Sequence, residues 1–243
     1  MSNSAPGPLR LLSFGDAAGQ VWGTVVQAGD TATLVVTPQG AAAATGPGQV
    51  QIVSESDGWR VAASGLQLRF TPVGHGRPER SGAGDELCHV EGRVTLPAGE
   101  RVLSCPGTVS VDPDAEPEQF DSIRALSGWF TEDRGVAVRA LRPDENKGHE
   151  RDRIAATLFD TDQWVTVADP RMSTTFRPNQ RPSRASLELW VGEGDELYPR
   201  RAAAEAIQAT SEASGDRLRI SLTPLLCHSG GLDGTGVYLI AHL

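Results

Sequence analysis

The segment with the densest concentration of chemically useful side chains is residues 167–190, and near its end a carboxylate and a tryptophan stand two positions apart. In ASLELWV (185–191), Glu188 and Trp190 share one face of a predicted strand and the leucines occupy the other, because successive side chains point to opposite faces. A carboxyl group on the wall of an apolar cavity favours its protonated form and can donate or accept a proton. Most lone glutamates face solvent instead, and the sequence leaves both interpretations of Glu188 open.

A second candidate carboxylate, Glu205, lies among alanines in RRAAAEAIQATSEA (200–213). Alanine is the best helix former, so this segment could be an exposed helix in which Glu205 pairs with Arg201. Predicted strands flank it on both sides, and we therefore favour a strand. Glu188 and Glu205 are the candidate catalytic residues.

The tryptophans offer a cavity wall that could shape a ligand and stabilise positive charge on it. Trp22 is followed by a glycine and a threonine, and Trp129 shares its predicted face with an alanine and a serine. Such small neighbours suit a cavity wall and ordinary core packing equally well. Trp59 and Trp164 follow turn-like sequences, which predicts a more peripheral position. The candidate ligand-binding residues are Trp22, Trp129, Trp190, Arg124, which could satisfy an interior carboxylate, and Thr175, one of three successive hydroxyl residues.

Metal and cofactor signatures are missing from the pattern of the sequence. Zinc needs three or four convergent ligands, and no two histidines stand at ligand spacing. The glycine-rich segments 15–20 and 229–236 are typical of hairpin turns and lack the phosphate-binding pattern. We therefore predict no metal and no cofactor. The five scattered histidines are His75, His89, His149, His228 and His242.

The elements that must position these residues are short strands. The chain has 27 glycines and 16 prolines, which separate short runs of alternating apolar residues such as ATLVVT (32–37), WVTVAD (164–169) and RLRISL (217–222). This spacing indicates an all-β protein, an antiparallel barrel or a sandwich. The acidic, proline-broken segment 112–119 divides the chain into two predicted β halves, 9–111 and 120–243.

Composition narrows the classes of partner. A formal net charge of −9 argues against nucleic acid and against anionic membrane surfaces, since both require clustered cations. No apolar run approaches the length of a membrane span, and the N-terminus lacks a signal-peptide pattern. Three cysteines without a C-x-x-C pair suit a reducing compartment, so we expect a cytoplasmic protein. Cys88 and Cys105 could still meet across a hairpin.

Several segments together resemble bacterial proteins of the lipocalin-like carotenoid-hydratase superfamily, which includes pericyclic cyclases of the Diels–Alderase type. They are LCHVEGRVTLPAGERVLSCPG (87–107), GWF…GVAVRALRPD (128–144), DPRMSTTF (169–176), ASLELW (185–190) and YPRRAAAEA (198–206). The resemblance implies two lipocalin-like β units in tandem with a ligand cavity in or between them. It covers residues 87–243, and the histidines that such proteins carry after the segment matching Cys105-Pro106-Gly107 are absent here.

Three functions follow from these observations, in order of preference. The first is a cofactor-independent cyclase, isomerase or hydratase of natural-product biosynthesis, acting on an apolar polyketide- or terpenoid-type molecule. The second is a lipocalin-like carrier that uses the same cavity without chemistry. The third is a solid β-sandwich that binds a partner protein. The expected partner is an apolar small molecule, and a homodimer stays open.

Overall fold

The structure, a computed structural model, describes residues 8–38, 43–45, 48–74, 84–143, 151–161, 163–192, 196–215 and 218–243. Nine strands form the first sheet, in the order β4-β3-β2-β1-β9-β8-β7-β6-β5, and every described pairing is antiparallel. These strands are β1 (Leu9–Asp16), β2 (Val21–Ala28), β3 (Thr31–Thr37), β4 (Ala43–Thr45), β5 (Val50–Glu55), β6 (Gly58–Ala63), β7 (Leu66–Pro72), β8 (Gly84–Leu96) and β9 (Gly99–Asp112).

A short 3-10 turn, Pro117–Gln119, leads into the second sheet, which has the order β13-β12-β11-β10-β19-β18-β16-β15-β14, with β17 paired to β18. Proline at the start of this turn ends the strand pattern, because it has no N–H to donate to a ladder. The strands are β10 (Phe120–Trp129), β11 (Gly135–Pro143), β12 (Arg153–Asp160), β13 (Gln163–Thr166), β14 (Asp169–Phe176), β15 (Pro182–Val191), β16 (Tyr198–Ala206), β17 (Ser211–Ser214), β18 (Arg219–Ser229) and β19 (Leu232–His242).

Both sheets curl, one into a nearly closed barrel and the other into a half-barrel. The link between β13 and β14 connects β12 with β15, which lie near opposite edges of the second sheet. Val167 N donates to Ala156 O at 3.0 Å, and Ala168 N donates to Trp190 O at 3.0 Å. The prediction of an all-β, tandem lipocalin-like fold is confirmed.

Three apolar clusters hold the fold together, one on the concave side of each sheet and one between the sheets. In β1, Leu12 and Phe14 pack inside the first sheet, while Leu9 and Leu11 pack against the second. Strands at this interface are therefore buried on both faces, and their sequences run apolar without clean alternation. Burial of this kind supplies most of the driving force for folding.

Ion pairs also cross between the sheets within the apolar interface. The carboxylate of Asp85, 4% exposed, accepts a hydrogen bond from Arg139 Nη1 at 2.5 Å and another from Thr157 Oγ1 at 2.7 Å. Arg153 Nη2 reaches Asp112 at 3.1 Å. These contacts fix how the convex faces of the two sheets meet, and so they fix the shape of any space left between them.

Residues 200–213 do not form a helix. β16 and β17 cover most of this segment, and the strand prediction is confirmed. The alanines make β16 thin enough to lie between β15 and β18, where Ala204 packs into the barrel core. Tertiary pairing thus overrides the intrinsic helix preference of alanine.

Two expectations about individual side chains need correction or completion. Trp59 is not peripheral: it is 9% exposed, its Nε1 donates to Glu86 Oε2 at 3.3 Å, and the Arg10 guanidinium lies over its ring. The turn before β6 places this residue on the inward face of the strand. Cys88 and Cys105 are buried thiols without a disulfide, since Cys88 stands opposite Gly107 and Cys105 opposite Val90.

Candidate functional site: the inter-sheet cleft

A cleft of about 940 Å³ opens between the two sheets. Turns at the ends of β1, β10 and β16 surround it, together with the middle of β8 and β9 and the start of β19. We call it the inter-sheet cleft. The lining residues that matter below are Gly15, Asp16, Trp22, Val73, His89, Ser104, Trp129, Phe130, Glu132, Ile207, Leu226, Asp233 and Thr235.

Two indoles form the floor of the inter-sheet cleft and hold the sheets together. Trp22 and Trp129 are 1% and 2% exposed. Trp22 Nε1, from the first sheet, donates to Thr235 Oγ1 of the second at 3.0 Å. Trp129 Nε1, from the second sheet, donates to Thr108 Oγ1 of the first at 2.7 Å. These reciprocal bonds fix both rings, so they give the cleft a rigid apolar base.

Gly15 makes the approach of the two indoles possible. A Cβ atom at this position would lie 2.6 Å from Trp22 Cδ1 and 2.8 Å from Trp129 Cζ3, which is closer than real Cβ contacts. A larger residue would force one ring out of its cross-sheet hydrogen bond. The glycine-rich segment 15–20 therefore ends a strand beneath the cleft and leaves room for the floor.

The two cross-sheet bonds differ in burial, which predicts unequal effects of isosteric substitution. Thr108→Val removes the acceptor of a fully buried Trp129 N–H, and we expect a loss of about 2 kcal/mol in the free energy of unfolding. Thr235→Val should cost about half as much, because Thr235 lies at the cleft, where water can replace it. Urea unfolding of both variants checks the order, and equal losses would contradict it.

Exposed aliphatic side chains form the upper wall of the inter-sheet cleft. Ile207 and Leu226 are 45% and 40% exposed, although both are large and apolar. The half-buried Phe130 and Val73 continue this wall. Apolar surface left in water at the mouth of a cleft is typical of a small-molecule binding site.

His89 is the imidazole that lines the inter-sheet cleft. Its Nε2 lies 3.3 Å from Ser104 Oγ and 3.6 Å from Glu91 Oε1, and its side chain is 43% exposed. Both contacts involve the same ring nitrogen, so the three residues do not form a relay through Nδ1. Ser104 and Glu91 hold the ring at the wall of the cleft.

Sequence reasoning did not assign His89 to a site. Its strand position does show that His89 and Cys88 point to opposite faces of β8, and the structure agrees: Cys88 packs in the first sheet's core. The signal that was missing is the second sheet, whose residues turn the His89 face into a cleft wall.

The structure places the candidate catalytic residues in surface ion pairs. Leu187 and Leu189 fill the barrel, so Glu188 lies on the outward face at 30% exposure. It accepts hydrogen bonds from Trp190 Nε1 at 2.9 Å, Arg171 Nη1 at 3.4 Å and Arg201 Nη2 at 3.3 Å. A shallow surface pocket of about 660 Å³ lies beside it. Neither Glu188 nor Trp190 lines the inter-sheet cleft.

Glu205 lies closer to the inter-sheet cleft but outside it. Its side chain is 54% exposed and pairs with Arg184 at 2.9 Å. In the neighbouring strand it stands opposite Leu226, which does line the cleft. The catalytic assignments of Glu188 and Glu205 stay predictions.

Arg124 and Thr175, two of the candidate ligand-binding residues, also lie outside the inter-sheet cleft. Arg124 satisfies a carboxylate inside the second barrel: its Nη2 lies 2.5 Å from Asp152, which is 1% exposed. Burial raises the pKa of Tyr238 beside it, against hydrogen bonds from Thr174 and Arg124. Thr175 is exposed on β14. Of the five predicted ligand-binding residues, the structure brings Trp22 and Trp129 together in one site.

The remaining chemistry-bearing side chains offer little for metals or thiol reactions. Among the residues that the structure describes, no group of three His, Cys, Asp or Glu could hold a metal ion, and His75 and His149 lie outside those residues. Burial raises the pKa of Cys105 and of Cys227 to about 12, which keeps both thiols protonated and unreactive. Within the same ranges no helix is long and apolar enough to cross a membrane.

Comparison with known proteins gives structural neighbours only, since no protein-family model and no curated protein matches the sequence. Kievitone hydratase from Nectria haematococca superposes with a TM-score of 0.59 at 10% identity, covering 100% of this chain and 90% of that one. CghA, solved with Sch210972, superposes with a TM-score of 0.62 at 11% identity, covering 97% of this chain and 88% of that one. CghA without a named ligand gives 0.61 at 12% identity. At these identities the likeness shows a shared fold, which extends over 97–100% of this chain.

Proposed function

We propose that this protein binds an apolar small molecule in the inter-sheet cleft and converts it by a hydratase-like or cyclase-like reaction that needs no cofactor. One observation carries the proposal: an open cleft of about 940 Å³ with a fixed indole floor and exposed aliphatic walls. Its volume falls within the range of small-molecule sites, roughly 300–1,000 Å³. A solid sandwich that only presents loops to a partner would have no reason to keep such a space.

The substrate we propose is of polyketide or terpenoid type. Such molecules present extended apolar chains or rings, which match a cleft walled by Ile207, Leu226 and Phe130. The neighbour CghA was solved with the small molecule Sch210972, and the other neighbour is named a hydratase. These names support the class of chemistry and leave the compound to experiment.

The cleft would contribute to catalysis first by holding the substrate in a reactive shape. Trp22 and Trp129 are pinned across the sheets, so the floor does not rearrange when a flexible chain folds onto it. The substrate loses its conformational entropy when it binds, so the ring closure that follows has a lower barrier. Because the indoles are almost fully buried, they act through shape more than through an exposed stacking face.

His89 is the proposed proton-transfer group. In a hydration, protonated His89 gives a ring proton to one alkene carbon, and the C=C π electrons form the new C–H bond. A water molecule then forms a C–O bond at the adjacent, positively charged carbon, and its surplus proton returns to His89. Ser104 Oγ, at hydrogen-bond distance, orients the ring for both transfers.

Mass spectrometry of a panel of polyene and terpenoid compounds, incubated in H₂¹⁸O, tests the proposal. A hydratase adds one labelled water, whereas a cyclase or isomerase gives a product of unchanged mass and new retention time. A carrier retains a compound and returns it unaltered. If no compound is retained or converted, the proposed function is wrong.

Binding in the inter-sheet cleft is tested by placing a charge on its apolar wall. We expect Leu226→Asp to weaken binding of 1-naphthalenemethanol by about tenfold or more, because the neutral probe would strip water from the new carboxylate. Leu226 is 40% exposed, so the fold should tolerate the change. Equilibrium dialysis measures the affinity, and Val102→Asp, at a residue 72% exposed and outside the cleft, is the matched control. Equal affinities of the two variants would exclude this cleft as the site.

A further inference from the structure

We propose that the inter-sheet cleft selects substrates that carry a protonated amine and rejects carboxylate analogues of the same apolar body. This inference rests on the proposed function and adds the class of substrate. The observation behind it is a contrast of charge. Three carboxylates line the described part of the cleft, and no arginine or lysine does so among the described residues.

The three carboxylates are Asp16 at the end of β1, Glu132 in the turn between β10 and β11, and Asp233 at the start of β19. They rise from both sheets around the apolar walls. An amphiphile seated on the floor would therefore meet negative charge on either side of the cleft. Carboxylates beside a low-dielectric wall act over a longer distance than they do in open water.

The three groups differ in how far other contacts already satisfy them. Asp16 Oδ1 accepts the Gly19 N–H at 2.8 Å, and the Arg101 guanidinium approaches the same turn. Asp233 Oδ1 lies 2.6 Å from His228 Nδ1. Glu132 is exposed and forms no ion pair with any residue that the structure describes. Glu132 is thus the carboxylate best placed to meet an incoming ammonium group.

Other charged groups near the inter-sheet cleft do not reverse this balance. Glu205, beside Leu226, is matched by Arg184 at 2.9 Å, so that pair is close to neutral. His89 lies on the wall as well, and the Glu91 carboxylate, 3.6 Å from its Nε2, offsets the positive charge that the ring carries when it is protonated. A carboxylate substrate would face repulsion from several groups and find no guanidinium to pair with in the described lining.

Three probes with one naphthyl body test the inference at neutral pH: 1-naphthylmethylamine, 1-naphthalenemethanol and 1-naphthylacetic acid. Equilibrium dialysis should rank the amine tightest and the acid weakest, with about a tenfold ratio between them. Added salt at about 0.5 M should narrow the ratio, since exposed charges are screened. Glu132→Gln should lower the ratio by about threefold and leave the affinity for the alcohol unchanged.

Glu118→Gln is the matched control, because Glu118 is also exposed but lies in the turn before β10. It should leave all three affinities unchanged. If the alcohol binds while the amine and the acid bind equally, or if Glu132→Gln leaves the ratio as it is, the inference is overturned and the proposed function stands. If none of the three probes binds, both are overturned.

Discussion

Asp85→Asn should lower the free energy of unfolding by about 3 kcal/mol. The Asp85 carboxylate is 4% exposed and accepts hydrogen bonds from Arg139 and Thr157, both in the opposite sheet. Asparagine keeps the shape of the side chain but removes its charge. Among the residues that the structure describes, the Arg139 guanidinium, 13% exposed, would then keep Asp112, at 3.9 Å, as its counter-charge. Leaving a buried charge without its partner costs far more than losing a surface pair.

Urea unfolding followed by circular dichroism measures this loss. The matched control is Asp160→Asn, because Asp160 pairs with Arg134 at 3.1 Å while both side chains are about half exposed. Solvent screens such a pair, so the control should change stability by well under 1 kcal/mol. Similar losses in the two variants would show that the contact between the sheets does not depend on the buried pair.

Alternation predicts the strands of this fold well where one face meets a core and the other meets water. β15 is the clear case, with Leu187, Leu189 and Val191 inward. It predicts less in β1 and β2, which are buried on both faces, because a continuous apolar run does not reveal which residues meet the other sheet. Which side chains of β1 and β2 face the first sheet's own core and which face the other sheet can be decided only when the position of the second sheet is known.

The same limit explains which site residues could be predicted. The small neighbours of Trp22 and Trp129 suit a cavity wall and core packing equally well, and the structure places these two indoles at the floor of the inter-sheet cleft. Alternation also puts Glu188 and Trp190 on a common face. Periodicity cannot tell whether that face lines a cavity, and the aliphatic residues of β15 take the interior. His89 lines a cleft because residues of the second sheet, such as Leu226 and Asp233, form the opposite wall. Those residues lie more than a hundred positions further along the chain, so no local sequence pattern reveals them.

His89→Gln is expected to reduce the turnover number about 100-fold for whichever compound the mass-spectrometric panel shows to be converted. Glutamine fills a similar volume and can still hydrogen-bond Ser104, but it cannot carry the proton that the addition requires. The Michaelis constant should change little, since the apolar walls provide most of the binding. His89 is 43% exposed, so the variant should fold normally.

Glu188→Gln and Glu205→Gln are the comparison that makes the His89 result decisive. Both carboxylates lie outside the inter-sheet cleft and pair with arginines, so each variant should keep turnover within about twofold of the parent. A large loss in either one, with His89→Gln unaffected, would return the acid–base role to the carboxylates that the sequence suggests. If all three variants retain full turnover, proton transfer is not part of the reaction, and folding the substrate on the Trp22 and Trp129 floor supplies the rate by itself.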